Sequence, residues 1–142
     1  QIHIVEKEDL DLGYRKSIIQ KEGYIVVEAE FIFSMGVKEE IEKKMTDLNH
    51  RRVEKQPLNY PSAGSTFKRP EGYFAGKLIM DAGLAGYRVG DMMVSAKHCG
   101  FVVNVGAGTA KDAGQLIEDV SRIVYEKFQV KLEPEVRYLG EF

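Results

Sequence analysis

The stretch 60–69 of this chain combines a hydroxyl side chain with cations in a segment whose composition predicts a sharp bend. Pro61 fixes its own φ angle and Gly64 tolerates backbone angles that are closed to other residues, so the chain can bend tightly just before Ser65. A hydroxyl held beside cations could act on a compound that carries phosphate or carboxylate groups. An ordinary turn with solvated cations is the alternative, and this stretch alone does not decide between them.

Cations lie on both sides of Ser65 and also earlier in the chain. Lys68 and Arg69 follow the hydroxyl closely, and Lys55 lies at the end of a predicted helix before it. The helix dipole favours cations at that end even without a ligand, so a structural and a functional role both stay open for Lys55. Arg15 follows a glycine and an aromatic residue in a connecting segment. Its guanidinium could contact an anion there, or it could be a solvated surface cation without a ligand.

The composition is typical of one soluble globular domain. With 142 residues, of which 44% are hydrophobic, the chain can bury a single core. A net charge of −2 argues against a broadly basic nucleic-acid surface, and no apolar run approaches the ~20 residues that span a bilayer. One cysteine and three scattered histidines match neither a disulfide nor a zinc site, so we expect a cytoplasmic protein. The chain begins at Gln1 rather than methionine, which leads us to expect a fragment or processed product.

Hydrophobic patterns predict strands at both ends of the chain and one buried strand between them. Extended structure is expected within residues 1–33, where apolar residues form short runs or alternate with polar ones. A buried strand is expected at 100–105, and a strand interrupted by Pro134 is expected at 130–139. Glu135 follows that interruption, and its carboxylate is either a solvated charge at a sheet edge or an acid that faces a site.

Apolar residues at helical spacing predict three helices, at 37–55, at 74–82 and at 111–128. The first and third are expected to face the core, and the second is expected to bury Phe74. The glycine-rich segment before the third helix imitates a dinucleotide-binding fingerprint, but Lys111 stands where that fingerprint has a third glycine or alanine. We therefore interpret this segment as a structural helix start.

Five motifs, taken in order, resemble those of the UDP-N-acetylenolpyruvoylglucosamine reductase (MurB) family. They are GYRKS at 13–17, SAGSTFK at 62–68 within a proline-bounded segment, FAGKLI at 74–79, VS at 94–95 with His98, and LEPEVR at 132–137. Five motifs in matching order are far more specific than any one of them. Together they extend the resemblance over essentially the whole chain.

The resemblance implies an oxidoreductase of peptidoglycan synthesis. Enzymes of this family reduce the enolpyruvyl ether of UDP-N-acetylglucosamine enolpyruvate, which yields UDP-N-acetylmuramate. NADPH reduces a bound FAD, and the flavin then reduces the substrate. The family's glycine-rich flavin-binding loops have no counterpart in this sequence, so the resemblance implies that the FAD domain is missing and that this chain alone is inactive.

The resemblance also assigns roles to residues at the matching positions. Ser65 corresponds to the proton donor, while Arg15 and Glu135 correspond to the pair that stabilises the negatively charged intermediate. Four residues correspond to positions near the substrate: Lys55, Lys68, Arg69 and His98. No residue of this chain is assigned to FAD or to a metal.

The fold implied by the resemblance is α+β, a two-layer arrangement in which a small mixed sheet packs against helices 37–55 and 111–128. Residues 1–33 are expected to be strands left from the end of the FAD-binding domain, and residues 34–142 to form the substrate-binding domain. Because their partner is absent, residues 1–33 are expected to pair between copies of the chain or with a sheet edge. A non-catalytic nucleotide-sugar binding module is the main alternative, and a structural domain without a ligand is a third.

Overall fold

The computed structural model describes residues 1–140, which divide into two compact units, Gln1–Val37 and a larger one that begins at Lys38. The first unit contains a 3₁₀ helix at Lys7–Leu10 and a short helix, α1, at Ile18–Glu22. Between them, a tight turn joins Gly13 and Lys16 through two backbone hydrogen bonds of 3.0 and 3.3 Å.

No β-strand forms within residues 1–37, so the prediction of strands in residues 1–33 is wrong for this structure. A strand needs a neighbour for its backbone N–H and C=O groups, and the described part of the first unit provides none at 24–33. The apolar side chains of that segment are correspondingly exposed, Ile32 to 94%. The assignment of residues 1–33 to the end of a flavin domain stays a prediction.

The second unit is built on a four-stranded sheet. β1 spans Ser62–Ser65, β2 Arg88–Val89, β3 Met92–Val94 and β4 Phe101–Asn104, in the spatial order β1-β4-β3-β2. Every pairing is antiparallel, so the predicted α+β class is confirmed while the prediction of a mixed sheet is wrong. The physical reason is that only short loops join β2, β3 and β4, whereas parallel neighbours need a long crossover connection.

Two helices form the layer against the sheet. α3 spans Ala75–Asp81, and α4 spans Ala110–Phe128, packing on β2, β3 and α3. Phe74 precedes α3 and is 60% exposed, so the expectation that it faces inward is wrong. The most completely buried side chains come from the sheet and from these two helices: Ile79, Val94, Val103, Leu116, Val120 and Val124.

The start of α4 is the structural cap that the sequence predicts, not a nucleotide-binding turn. The Thr109 hydroxyl accepts a hydrogen bond from the Asp112 N–H at 3.1 Å, and the Asp112 carboxylate accepts one from the Thr109 N–H at 2.9 Å. The backbone and hydroxyl hydrogen bonds from Thr109 lower the pKa of the Asp112 carboxyl below its ordinary value. This reciprocal pair satisfies two of the N–H groups that any helix start leaves open.

The remaining long helix, α2 at Lys38–Lys55, forms where predicted but is exposed along its length. Its predicted packing against the sheet is therefore wrong for the described chain. Helical periodicity identifies an apolar face, here Ile41, Met45 and Leu48, but does not say which surface covers it. No helix within residues 1–140 has an apolar stretch long enough to cross a membrane.

A polar contact on the outside of the second unit ties the start of β2 to α4. The Tyr87 hydroxyl donates a hydrogen bond to the Asp119 carboxylate at 2.9 Å. This bond lowers the pKa of Asp119 and raises the pKa of Tyr87. Since the pKa of Asp119 is lowered by folding, the carboxylate stabilises the fold above its unfolded-state pKa, and that stability is lost as the pH falls through the folded-state pKa.

We expect Tyr87→Phe to lower the free energy of unfolding by about 1 kcal/mol near neutral pH, because one hydrogen bond to a carboxylate is lost. The pKa of Asp119 should rise toward its ordinary value, and the acid-side loss of stability should become shallower. Denaturant unfolding at several pH values and a carboxyl NMR titration measure both effects. Tyr125→Phe, at an exposed position of α4, is the control and should change neither the stability nor the pKa of Asp119. An unchanged Asp119 pKa in Tyr87→Phe would disprove the hydrogen bond between Tyr87 and Asp119.

Candidate functional site

The predicted bend before Ser65 is a short edge strand with an irregular centre. β1 pairs with β4 at Ser62–Val103 and Ser65–Phe101, and the register shifts between these two pairs. Gly64 lies inside this irregularity with a φ of 86°, in the left-handed region that favours glycine. The prediction that Gly64 adopts backbone angles closed to other residues is thus confirmed, although the segment is a strand and not a turn.

Both ends of β1 are held by backbone hydrogen bonds to the β4 side of the sheet. The Asn104 N–H donates to the Pro61 carbonyl at 2.9 Å, and the Thr66 N–H donates to the Gly100 carbonyl at 2.8 Å. Ser65 is exposed, whereas the next residue is buried in the sheet layer. The chain therefore presents the Ser65 hydroxyl to solvent from a backbone that is fixed on both sides.

The C-terminal tail forms no strand within residues 130–139, contrary to the prediction, and instead pairs with the segment that follows β1 through one isolated bridge. The Glu135 N–H donates to the Thr66 carbonyl at 2.8 Å, and the Lys68 N–H donates to the Glu133 carbonyl at 2.9 Å. Phe67 and Pro134 form the antiparallel bridge between these two bonds. We call the paired segments 66–68 and 133–135 the tail ladder. It brings the half-buried Glu135 next to the residue that follows Ser65.

The two cations after Ser65 are engaged with neighbours from this chain. The Lys68 ammonium forms an ion pair with the Glu133 carboxylate across the tail ladder. The guanidinium of Arg69 lies over the ring of Phe74, 4.0 Å from its centroid, in a cation–π contact. The ion pair ties Lys68 to the tail, whereas the cation–π contact ties Arg69 to the residue that precedes α3.

His98 lies in the turn before β4 and is connected to the end of β1 through Gly100. The His98 Nδ1 atom accepts a hydrogen bond from the Gly100 N–H at 3.2 Å, and the Gly100 carbonyl accepts the bond from Thr66. The imidazole also contacts the ring of Phe101 edge to face at 5.0 Å. Because Nδ1 accepts in this turn, Nε2 is the atom of neutral His98 that carries a proton.

Lys55 and Arg15 belong to other elements, Lys55 to α2 and Arg15 to the Gly13–Lys16 turn of the first unit. Lys55 is the last residue of α2 and is exposed; the Lys97 ammonium donates to the carbonyl of Val53 at 2.7 Å, which joins that helix end to the loop of His98. Arg15 belongs to the first unit, where its φ of 57° is uncommon for a residue with a side chain. Such backbone strain is concentrated at functional positions, which is consistent with a role for this guanidinium.

The glycine-rich loop before α4 does not fit the pyrophosphate of a flavin. The Asn104 side-chain oxygen accepts hydrogen bonds from the N–H groups of Gly106 and Gly108, at 3.0 and 3.1 Å, and Asp91 accepts one from Ala107 at 2.9 Å. These N–H groups are therefore unavailable to a phosphate. Within residues 1–140, no cluster of three or more histidine, cysteine or acidic side chains could hold a metal ion.

Sequence reasoning missed two residues that build the site, Thr66 and Glu133. Thr66 is 3% exposed, and its backbone forms hydrogen bonds with Gly100, next to β4, and with Glu135 in the tail. Glu133 supplies the carboxylate opposite Lys68. Both residues lie inside the matching motifs at 62–68 and 132–137, but their roles depend on the pairing of segments that are far apart in the chain, since Glu133 follows Lys68 by 65 positions. Only the three-dimensional arrangement could identify them.

We expect Gly64→Ala to lower the free energy of unfolding by about 1–2 kcal/mol, because a Cβ atom disfavours the left-handed φ even though the added carbon has open space around it. Gly114→Ala is the matched control: this glycine lies inside α4, and an added Cβ would make ordinary contact with Tyr138. That variant should be more stable by up to about 1 kcal/mol. Chemical denaturation measures the free energy of unfolding of both variants. An equal change in the two would contradict a cost for placing a Cβ atom at the left-handed φ of Gly64.

Comparison with known proteins gives one consistent result. A sequence model described as "UDP-N-acetylenolpyruvoylglucosamine reductase, C-terminal domain" matches residues 56–139. The chain is 66% identical over 141 residues to the UDP-N-acetylenolpyruvoylglucosamine reductase of Lachnoclostridium phytofermentans, and 60% identical over 142 residues to that of Agathobacter rectalis. These matches cover 99% and 100% of this chain, and 46% and 45% of the relatives. The chain thus spans about half the length of the relatives it matches.

The structural comparison agrees with the sequence comparison. The crystal structure of UDP-N-acetylenolpyruvylglucosamine reductase (MurB) from Thermus caldophilus aligns with a TM-score of 0.77 and 39% sequence identity. The alignment covers 94% of this chain and 47% of the crystallised one. The α+β arrangement described above is therefore shared with a solved protein of the same description.

Proposed function

The chain belongs to the UDP-N-acetylenolpyruvoylglucosamine reductase family, and we propose that it forms the substrate-reducing part of such an enzyme. The complete enzyme would convert UDP-N-acetylglucosamine enolpyruvate to UDP-N-acetylmuramate in the cytoplasm, with NADPH as the reductant and FAD as the cofactor. The observation that carries this proposal is the tail ladder, which joins the segment of Ser65 to the segment of Glu135. These are the two motifs that hold the proposed reacting side chains.

The reaction needs a hydride and a proton at neighbouring carbons of the enolpyruvyl double bond. In the complete enzyme, a bound FAD would supply the hydride. Negative charge then develops at the carbon next to the carboxylate, in an enolate-like intermediate. We assign Ser65 as the donor that protonates this carbon. A serine hydroxyl is a weak acid, but a strongly basic carbon and nearby cations make its proton transfer feasible.

The intermediate also needs stabilisation of its charge while the proton arrives. We assign this role to Arg15 and Glu135, the first as a fixed cation and the second as a neutral carboxyl group that donates a hydrogen bond. A carboxyl group is a donor only when protonated, so the assignment requires that bound substrate keep Glu135 protonated.

The remaining cations are proposed to bind the diphosphate or carboxylate groups of the substrate. Lys68 and Arg69 follow Ser65 closely in the chain, and His98 is connected to Thr66 through Gly100. Lys55 would reach the substrate from the end of α2. Lys68 already faces Glu133, so a substrate anion would have to share this ammonium or replace the carboxylate. We further assign residues 1–33 to the end of the FAD-binding domain and residues 34–142 to the substrate-binding domain.

The direct test uses the full-length enzyme that contains this chain. Purified with FAD, it should oxidise NADPH in a manner that depends on UDP-N-acetylglucosamine enolpyruvate, and UDP-N-acetylmuramate should appear in equal amount. Mass spectrometry of the product identifies the added hydrogen atoms. A rate of NADPH oxidation that is the same with and without the UDP-sugar would disprove the proposed function.

A non-catalytic nucleotide-sugar binding module is the competing function, because this chain contains cations near Ser65 and the glycine-rich loop before α4 does not fit a flavin. Titration calorimetry of the 142-residue chain with the UDP-sugar separates the two. The enzyme proposal predicts weak binding until the rest of the enzyme is present. Tight binding by the chain alone would favour the module. Sedimentation of the same sample tests whether residues 1–33 pair between copies, which would appear as a concentration-dependent dimer.

A further inference from the structure

We propose that Thr66 is a positioning residue for the proposed reaction, which sets the geometry of Ser65 relative to Glu135. The inference rests on the proposed function and adds a residue to it. Thr66 follows Ser65 directly, is 3% exposed and is one of the two buried polar residues among those described. Its hydroxyl does not reach solvent, so its part in the reaction would be to hold other groups.

Thr66 ties the end of β1 to β4 just beyond the irregularity of β1. The register shifts between Ser62 and Ser65, and the ladder with β4 resumes at the pair Ser65–Phe101. Beside this pair, the Thr66 hydroxyl oxygen accepts a hydrogen bond from the Val102 N–H at 3.1 Å. The Thr66 N–H meanwhile donates to the Gly100 carbonyl at 2.8 Å. The end of β1 that carries Ser65 is thus tied to β4 through one residue.

The same residue also holds the tail. The Thr66 carbonyl accepts the hydrogen bond from the Glu135 N–H at 2.8 Å. Its backbone N–H, its carbonyl and its hydroxyl therefore contact three different points, on Gly100, Glu135 and Val102. A shift of Thr66 moves Ser65 through the peptide bond and moves Glu135 through this hydrogen bond. The distance between the two proposed reacting groups consequently depends on Thr66.

The hydroxyl is the part of Thr66 that a variant can remove. Valine has nearly the same shape, but it replaces the hydroxyl oxygen that accepts from the buried Val102 N–H with a methyl group. The tie between Thr66 and β4 would then be weaker, and Ser65, which is bonded to Thr66, would shift with it. Small displacements of reacting groups have large effects on rate, because proton transfer depends on close and aligned geometry.

The test compares Thr66→Val with Thr66→Ser in the full-length enzyme. We expect valine to slow reoxidation of the reduced flavin by the UDP-sugar about tenfold, while reduction of the flavin by NADPH and the substrate KM stay unchanged. Serine retains the acceptor and should restore the rate despite its missing methyl group. Thr46→Val, at an exposed position of α2, is the matched control and should leave both half-reactions as they are. A residue that only stabilised the fold would not separate the two half-reactions in this way.

Two results would overturn the role of Thr66: equal slowing by valine and serine, or equal slowing of both half-reactions by valine. If valine prevents folding, Thr66→Ala and Thr66→Ser repeat the comparison, since these two side chains differ only in the hydroxyl. If the wild-type enzyme reduces the UDP-sugar and Thr66→Val does so at the same rate, the role of Thr66 is rejected and the proposed function is not. A wild-type enzyme that fails to reduce the UDP-sugar would instead reject the proposed function.

Discussion

Ser65→Ala is expected to lower the kcat of the full-length enzyme for UDP-sugar reduction by ~10²–10⁴-fold, the range typical of the loss of a general acid. The methyl group of alanine cannot donate a proton, and water would have to reach the carbon instead. The exposure of Ser65 on a backbone held at both ends means that the variant should fold normally. Steady-state NADPH oxidation with the UDP-sugar measures the loss.

Ser62→Ala is the matched control for this variant. Ser62 is also exposed and lies on the same strand, where its hydroxyl is 3.5 Å from the Gly64 N–H. Its removal should change kcat by less than about threefold, since no role in proton transfer is assigned to it. A similar loss in both variants would show that β1 is merely sensitive to substitution, and a normal kcat in Ser65→Ala would remove Ser65 from the reaction.

Glu135→Ala is expected to lower kcat by ~10²–10³-fold, which is the typical effect of removing one hydrogen-bond donor to a developing negative charge. Glu135→Gln should lose less, because an amide N–H can still donate a hydrogen bond. The backbone bond from Glu135 to Thr66 does not involve the side chain, so both variants should keep the tail ladder. Turnover and unfolding should be measured on the same preparations.

Glu118→Ala provides the comparison for a carboxylate without an assigned role, since Glu118 is exposed on α4. This variant should turn over at the wild-type rate. Equal activity of wild type and Glu135→Ala would exclude Glu135 from the mechanism. A loss in Glu135→Gln as large as that in Glu135→Ala would instead show that the carboxyl group acts as a charge and not as a hydrogen-bond donor.

The helices of the second unit were predictable because their signals are local. The apolar spacing at 111–128 and the Thr109–Asp112 cap identify α4, and the structure has both. The strands at 24–33 were not correctly predicted, since β-structure depends on a neighbour that the pattern cannot supply. The packing of α2 on the sheet was wrongly predicted for a similar reason. An amphipathic pattern identifies the apolar face of a helix, but it does not identify the surface against which that face packs.

The site was predictable in its residue types and less so in its construction. Gly64 and the cations beside Ser65 indicated a presented hydroxyl, and the matching motifs added Glu135. The tail ladder could not be predicted, because it joins segments 66–68 and 133–135 through backbone hydrogen bonds that residue types barely specify. Thr66 and Glu133 became visible only with that pairing. The roles of Ser65, Glu135 and Arg15 remain predictions until their variants are measured.

The central claim is that Ser65 acts on the substrate and not on the flavin. Rapid-mixing spectroscopy of Ser65→Ala in the full-length enzyme tests it directly, since FAD absorbance follows each half-reaction separately. We predict that NADPH reduces the flavin at nearly the wild-type rate, whereas reoxidation by the UDP-sugar slows by at least ~10²-fold. Equal slowing of the two half-reactions, or reoxidation at the wild-type rate, would contradict the assignment of Ser65 as the proton donor.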